Sequence, residues 1–195
     1  MSCMSDEPGV RMHEIRWHGR GGQGAVTSSK ILAEAAFRSG WSGVTAAPSF
    51  GAERRGAPIT ASTRMDREPI RILSQVTTPD VVVVLDDSLL AVANPAAGLK
   101  PGGVVIVNTV RPRAELAIPA DVRVVTADVT GSALAAGVVV GGQPMVNTAI
   151  LGSIAAATKL VTLESVEAAI ADAFPPGPAA KNIEAARLAF QCTNA

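Results

Sequence analysis

The chain has only two cysteines, Cys3 and Cys192, at opposite ends of its 195 residues. A cysteine-ligated iron-sulfur cluster needs more thiolates than that, and neither cysteine has a partner at zinc spacing. Such sparing use of cysteine fits a reducing cytosol. Net charge is absent too: 17 basic side chains balance 17 acidic ones, so no basic field argues for nucleic acid and no imbalance argues for a membrane surface. Residues 1–75 hold ten of the basic groups and seven of the acidic ones, a bias too small to name a ligand class. No apolar run reaches membrane-spanning length without a charge, glycine or proline. The first dozen residues lack the apolar block of a secretory signal, so residues 1–12 read as a disordered tail. The sequence thus predicts a soluble, cytoplasmic protein.

What the chain does have is apolar mass. At 48% hydrophobic, residues 13–195 predict one domain that buries roughly 70% of the surface its unfolded form would expose. Short β-branched runs alternate with alanine-rich segments, the pattern of an α/β fold with a mainly parallel sheet and helices on both faces. Strands are expected at Glu14 to Trp17, Gly43 to Ala46, Ile59 to Thr63, Val81 to Leu85, Val104 to Val107 and Val122 to Thr126. The run Val81-Val82-Val83-Val84-Leu85 is apolar at every position, as a central strand buried on both faces should be. It ends in Asp86-Asp87, which can cap a helix over Ser88 to Ala97 or sit at the sheet edge where such folds place ligands. Beyond Gly142 the pattern turns helical: Val146 to Leu160, then a helix capped by Thr162 with Leu163, Val166, Ile170 and Phe174 on one face. Pro175-Pro176-Gly177-Pro178 is expected to be a linker before a last helix over Ala179 to Gln191.

Two motifs could carry chemistry. Gly19-Arg20-Gly21-Gly22-Gln23-Gly24 lies between the first strand and a helix beginning near Ala25, where free amides at a helix N-terminus favour an anion. Gly19, Gly21 and Gly24 match a dinucleotide loop, but the acid that should follow the second strand is missing from Val44-Thr45-Ala46-Ala47-Pro48. Nor does Gly24 lead into the Lys-Ser or Lys-Thr pair of an ATPase loop. The second motif, Ser49 to Pro58, carries Glu53, Arg54 and Arg55. Paired arginines can fork onto phosphate or carboxylate, Glu53 can pair with either of them, or the pair can dock a partner subunit. Thr27, Ser28 and Ser29 in the first turns of the helix suit either anion donation or close packing, and Asn147 suits either a cap or the cleft wall. His13 and His18 flank the first strand with no nucleophile at relay spacing, so His18 reads as a strand-end group bonded locally.

Taken together, Ile15 to Gly24, Phe50 to Pro58 and Pro79 to Asp86 resemble the gamma subunit of the 2-oxoacid:ferredoxin oxidoreductases, the pyruvate synthase group, from His13 onward. The family often has tyrosine and proline where this chain has Phe50 and Ala52. The resemblance implies a Rossmann-like domain with a helical C-terminal segment. It also implies a complex that decarboxylates a 2-oxoacid, pyruvate or an aryl 2-oxoacid, with coenzyme A, giving acyl-CoA, carbon dioxide and two electrons. Thiamine diphosphate, Mg and [4Fe-4S] clusters would then reside on alpha, beta and delta (ferredoxin-like) companions, with a flavoprotein subunit as a further possible partner and none of these groups bound by this chain alone. Carried over by position, Gly19, Arg20, Gly21, Gly22, Gln23, Gly24 and Thr27 become loop candidates for coenzyme A, and Glu53, Arg54 and Arg55 ligand or subunit contacts. The other reading is a scaffold subunit of the same complex that touches no ligand.

Overall fold

The computed structural model describes residues 12–48, 55–72 and 74–194. Six strands form one sheet: β1 (His13–Arg20), β2 (Gly43–Pro48), β3 (Pro58–Asp66), β4 (Val81–Val84), β5 (Val104–Asn108) and β6 (Arg123–Ala127). Their order is β2-β3-β1-β4-β5-β6. β1, β4, β5 and β6 pair in parallel, whereas β3 runs antiparallel to both β1 and β2. Too few residues separate Pro48 from Pro58 for a crossover helix, which takes about a dozen, so the chain doubles back instead. The remaining five strands point the same way, and the expected α/β sheet stands with this one reversal.

Alternation along β1 sorts its side chains between the two faces. Ile15 and Trp17 enter the larger core, formed with α1 (Ala25–Arg38), α3 (Ala149–Thr158), α4 (Leu163–Ala173) and α5 (Pro176–Cys192). Val82, Val84, Val105 and Val107 face the other way, beneath Leu89, Leu90, Leu116 and Ile118. That second face is covered by short 3-10 turns at Asp87–Ala91 and Arg113–Glu115. The helix expected over Ser88 to Ala97 therefore shrinks to one turn, because Asn94 takes a positive φ ahead of Pro95. At the lower end of the sheet, Arg64 pairs with Glu14 at 2.9 Å and Lys100 with Asp80 at 2.8 Å, tying β1, β3 and β4 together.

The linker expected at Pro175 to Pro178 is corrected. Pro175 is the N-cap of α5 and Pro176 its first residue, since a missing amide costs nothing in a first turn whose amides have no helical acceptor. Thr162 caps α4 as expected, accepting from the Ser165 amide at 3.1 Å, but Phe174 falls just past the end of that helix. A short helix α2 (Val129–Ala135), capped by Asp128, and a small hairpin of β7 (Val139–Val140) and β8 (Gln143–Pro144) complete the chain. Among the described residues no helix is long and apolar enough to cross a membrane.

Candidate functional site

The carboxyl ends of β1, β4, β5 and β6 open into a cleft of about 1090 Å³, at the point where chain order reverses across the sheet. Gly21, Gly22 and Gln23 form one wall and Arg55 and Gly56 another. The two sequence motifs meet through their backbones: the Gly21 amide donates to Ala57 O at 2.9 Å, and the Gly56 amide donates to Gly21 O at 3.0 Å. Glu53 and Arg54, with Phe50 to Ala52, lie outside the described residues.

Gly24 ends the loop at φ +82°, and a β-carbon there would stand 2.8 Å from the Asn147 β-carbon. Only glycine meets both demands, the left-handed turn and the close approach to the segment leading into α3. Its carbonyl starts α1 by accepting from the Ser28 amide at 2.9 Å, while the helix has no side-chain cap. Ser28 Oγ also donates to Asn147 O at 2.8 Å, so Ser28 packs α1 against α3, the small-residue role. Thr27 is exposed on α1, and neither it nor Gly19 nor Gly24 lines the cleft.

Asp86 holds the loop together. Its Oδ2 accepts from Arg20 Nε at 3.0 Å and from Gln23 Nε2 at 3.1 Å, and its Oδ1 accepts from the Ser88 amide at 3.0 Å. Asp86 thus caps the 3-10 turn, as one reading of the sequence has it, and lies in the cleft wall at the carboxyl end of β4. Arg20 also donates to Gly56 O at 3.1 Å and Ser88 Oγ at 2.7 Å, and Gln23 Oε1 accepts from the Arg20 amide at 2.7 Å. Burial opposes ionisation of Asp86, but hydrogen bonds from the Ser88 hydroxyl and amide and from Gln23, with the Arg20 charge, outweigh it and hold the carboxyl below its usual range. A depressed folded value means that this stabilisation is complete above the unfolded value of about 3.9 and disappears as pH falls through the folded one. We expect Asp86→Asn to flatten that acid limb of the unfolding free energy measured in urea; a limb identical to the parent's would remove Asp86 as the loop's anchor.

The floor and far wall come from residues that the motif search passed over. Asn108, at the end of β5, donates to Leu85 O at 3.0 Å and accepts from the Thr130 amide at 3.1 Å. Thr109 Oγ1 donates to Asp87 Oδ2 at 2.7 Å. Asn108 ends β5 and Thr109 follows it, whereas Thr130 lies in the first turn of α2. Val110 and Val140, 78% and 66% exposed, give the cleft an apolar rim. Among the described residues no group of His, Cys, Asp and Glu side chains is placed to hold a metal ion. The cleft thus has the glycine loop with Arg55 and Gly56 on one side and hydroxyl, amide and carboxylate groups on the other.

Residues 14–192 match the family described as pyruvate ferredoxin/flavodoxin oxidoreductase. The chain is 54% identical over 187 residues to the pyruvate/ketoisovalerate oxidoreductases common subunit gamma of Thermococcus litoralis, covering 93% of this chain and 97% of that one. It is 48% identical over 180 residues to the pyruvate synthase subunit PorC of Methanothermobacter thermautotrophicus, covering 92% and 95%. The crystal structure of the pyruvate oxidoreductase subunit PORC of Thermotoga maritima superposes with a TM-score of 0.82 at 35% identity, over 94% of this chain and 98% of that one. With a family match over most of its length and gamma-type relatives at about half identity, the chain belongs to the pyruvate ferredoxin/flavodoxin oxidoreductase family as a chain of its gamma type.

Proposed function

We propose that this chain is the gamma subunit of a cytoplasmic pyruvate:ferredoxin oxidoreductase and that its cleft holds the polyanionic part of coenzyme A. The observation that carries this reading is the backbone contact between Gly21 and Gly56–Ala57, which places Arg55 beside the glycine loop at the uncapped start of α1. A guanidinium on that cleft wall suits phosphate oxygens. The Asn108, Thr109 and Asp87 side suits hydroxyl and amide groups, and the valine rim suits the apolar parts of such a carrier.

The clusters do not fit this chain, whose two cysteines are Cys3 and Cys192. They belong, with thiamine diphosphate and magnesium, to alpha, beta and delta companions. Thiamine diphosphate supplies the carbanion chemistry of decarboxylation. This chain's own residues position the thiol carrier and keep water from the shared site. One observation favours the scaffold reading: Arg20, the motif's own cation, is turned onto Asp86, Gly56 and Ser88 rather than left open to the cleft.

Replacing Arg54 and Arg55 together with Ala separates the two. We expect the assembled complex to show a coenzyme A KM raised about tenfold with subunit stoichiometry intact, the loss of one or two charge-assisted bonds. Unchanged KM with weakened assembly would move the pair to an interface and leave the scaffold reading standing.

A further inference from the structure

Gly19 to Gly24 match a dinucleotide loop except for the acid expected after the second strand. In folds of that kind the second strand lies in parallel beside the first, and its terminal acid takes the ribose hydroxyls. Here the antiparallel β3 separates β2 from β1, so an acid ending β2 would stand two strands away from the loop. The parallel neighbour of β1 is β4. Leu85, just past β4, donates its amide to His18 O at 2.9 Å, and the next two residues, Asp86 and Asp87, leave the sheet beside the glycine loop and line the cleft.

The two acids differ in what they have left to give. Asp86 is spent on its own loop, with Oδ2 accepting from Arg20 and Gln23 and Oδ1 from the amide and hydroxyl of Ser88. Asp87 keeps a free oxygen. Its Oδ2 accepts from Thr109 Oγ1 at 2.7 Å, and among the described residues its Oδ1 accepts no hydrogen bond. Thr109 is itself fixed, because its Oγ1 accepts from the Arg111 amide at 3.0 Å. Asn108 is fully occupied, with Nδ2 on Leu85 O and Thr130 Oγ1 and Oδ1 on the Thr130 amide. Asp87 is therefore the oriented acceptor that the ends of β4 and β5 leave open to a ligand.

We propose that Asp87 is the ribose acid of this cleft: its Oδ1 accepts from the 2′-hydroxyl of the carrier's adenosine, which lies at the ends of β4 and β5 while the diphosphate lies against Arg55 and the glycine loop. The inference deepens, and rests on, the reading of the cleft as a coenzyme A site. Coenzyme A carries a phosphate on the 3′ carbon of the same ribose, and an acid alone would repel it. Arg111 offsets that repulsion. Its Nη1 stands 4.0 Å from Asp87 Oδ2 and donates no hydrogen bond among the described residues, since its contacts with Glu115 use Nε and Nη2. An acceptor with a cation behind it complements a hydroxyl next to a phosphate.

The test removes the two partners singly and together. Coenzyme A and its 2′-deoxy analogue are titrated into the assembled complex without 2-oxoacid, and the ratio of their dissociation constants is read. The parent should bind the deoxy analogue about tenfold more weakly, the worth of one hydrogen bond to a charged acceptor. In Asp87→Ala the ratio should fall below about twofold, and Asp87→Asn, which keeps a neutral acceptor, should lie between the two. Asp128→Asn removes the same charge from the β6 side of the cleft and should keep the parent's ratio. A parent ratio near one would overturn the proposal, as would a ratio that stays tenfold in Asp87→Ala or, should that chain not assemble, in Asp87→Asn. An equal fall in Asp128→Asn would also overturn it, since the effect would then be one of net charge. Coenzyme A binding left unchanged when Arg54 and Arg55 are replaced would instead overturn the coenzyme A reading itself.

Discussion

Gly152→Ala will lower the unfolding free energy of the chain by about 3 kcal/mol or more, the largest stability loss expected from any single added methyl group in α3. A β-carbon at Gly152 would stand 1.9 Å from the carbonyl oxygen of Ala186, 2.8 Å from its carbonyl carbon and 3.0 Å from the Phe190 amide nitrogen. These are backbone atoms of α5, so no side chain can swing away. The two helices must part, and both are anchored: Ile150, Leu151 and Ile154 of α3 and Ala185, Ala186 and Ala189 of α5 are fully buried. Parting them opens voids along the whole contact, and the lost packing outweighs the gain of about 1 kcal/mol that alanine brings to a helix interior. Gly177→Ala is the control. It lies in the first turn of α5, and nothing approaches its β-carbon position within 4 Å, so it should be neutral or slightly stabilising. Urea unfolding of both variants decides the matter; a Gly152→Ala chain as stable as Gly177→Ala would mean that α3 and α5 do not cross this closely.

The same contact shows where a sequence stops being legible. Glycine at 152 in an alanine-rich helix gives no local sign that it touches Ala186, because the partner is set by how α5 folds back over α3. The strands were readable since β-branched runs are a local signal, and all six expected strands are present to within a few residues. The reversal of β3 was not readable from its own residues; it follows from the short link between β2 and β3. At the site, the glycine loop and Arg55 could be named from spacing, and the cleft does join them. Asn108 and Thr130 could not, because each is an ordinary residue until β5 and β6 lie side by side and turn one toward the other. Asp86 lies between these cases. Its place after an all-valine strand marked it, but its grip on Arg20 and Gln23, 63 or more residues earlier, belongs to the parallel pairing of β1 and β4.

His18 will make the fold acid-sensitive well above the range in which carboxylates titrate. Burial, aided by the charge of Arg16, lowers its pKa from 6.5 to about 4. Protonation would set an N–H on Nε2 against the Arg16 Nε–H that now donates to it. Because the folded value lies below the unfolded one, the unfolded chain binds the extra proton between these limits. Stability is therefore complete above about pH 6.5 and is lost as pH falls toward 4, by about 2 kcal/mol at pH 4.5 for a shift of this size. The loss has a structural route. Arg16 ties the carbonyls of Val76 and Thr77 to those of Pro95 and Ala97, so repelling it loosens the segment that follows the Asp86-capped turn. His18→Gln keeps an acceptor for Arg16 and removes the titration. Unfolding free energies at pH 7 and 4.5 should fall by about 2 kcal/mol more in the parent than in His18→Gln, since the other acids titrate alike in both. Equal pH dependence in the two chains would show that His18 titrates as it does in water and that the bond from Arg16 to its ring is not what holds the imidazole neutral.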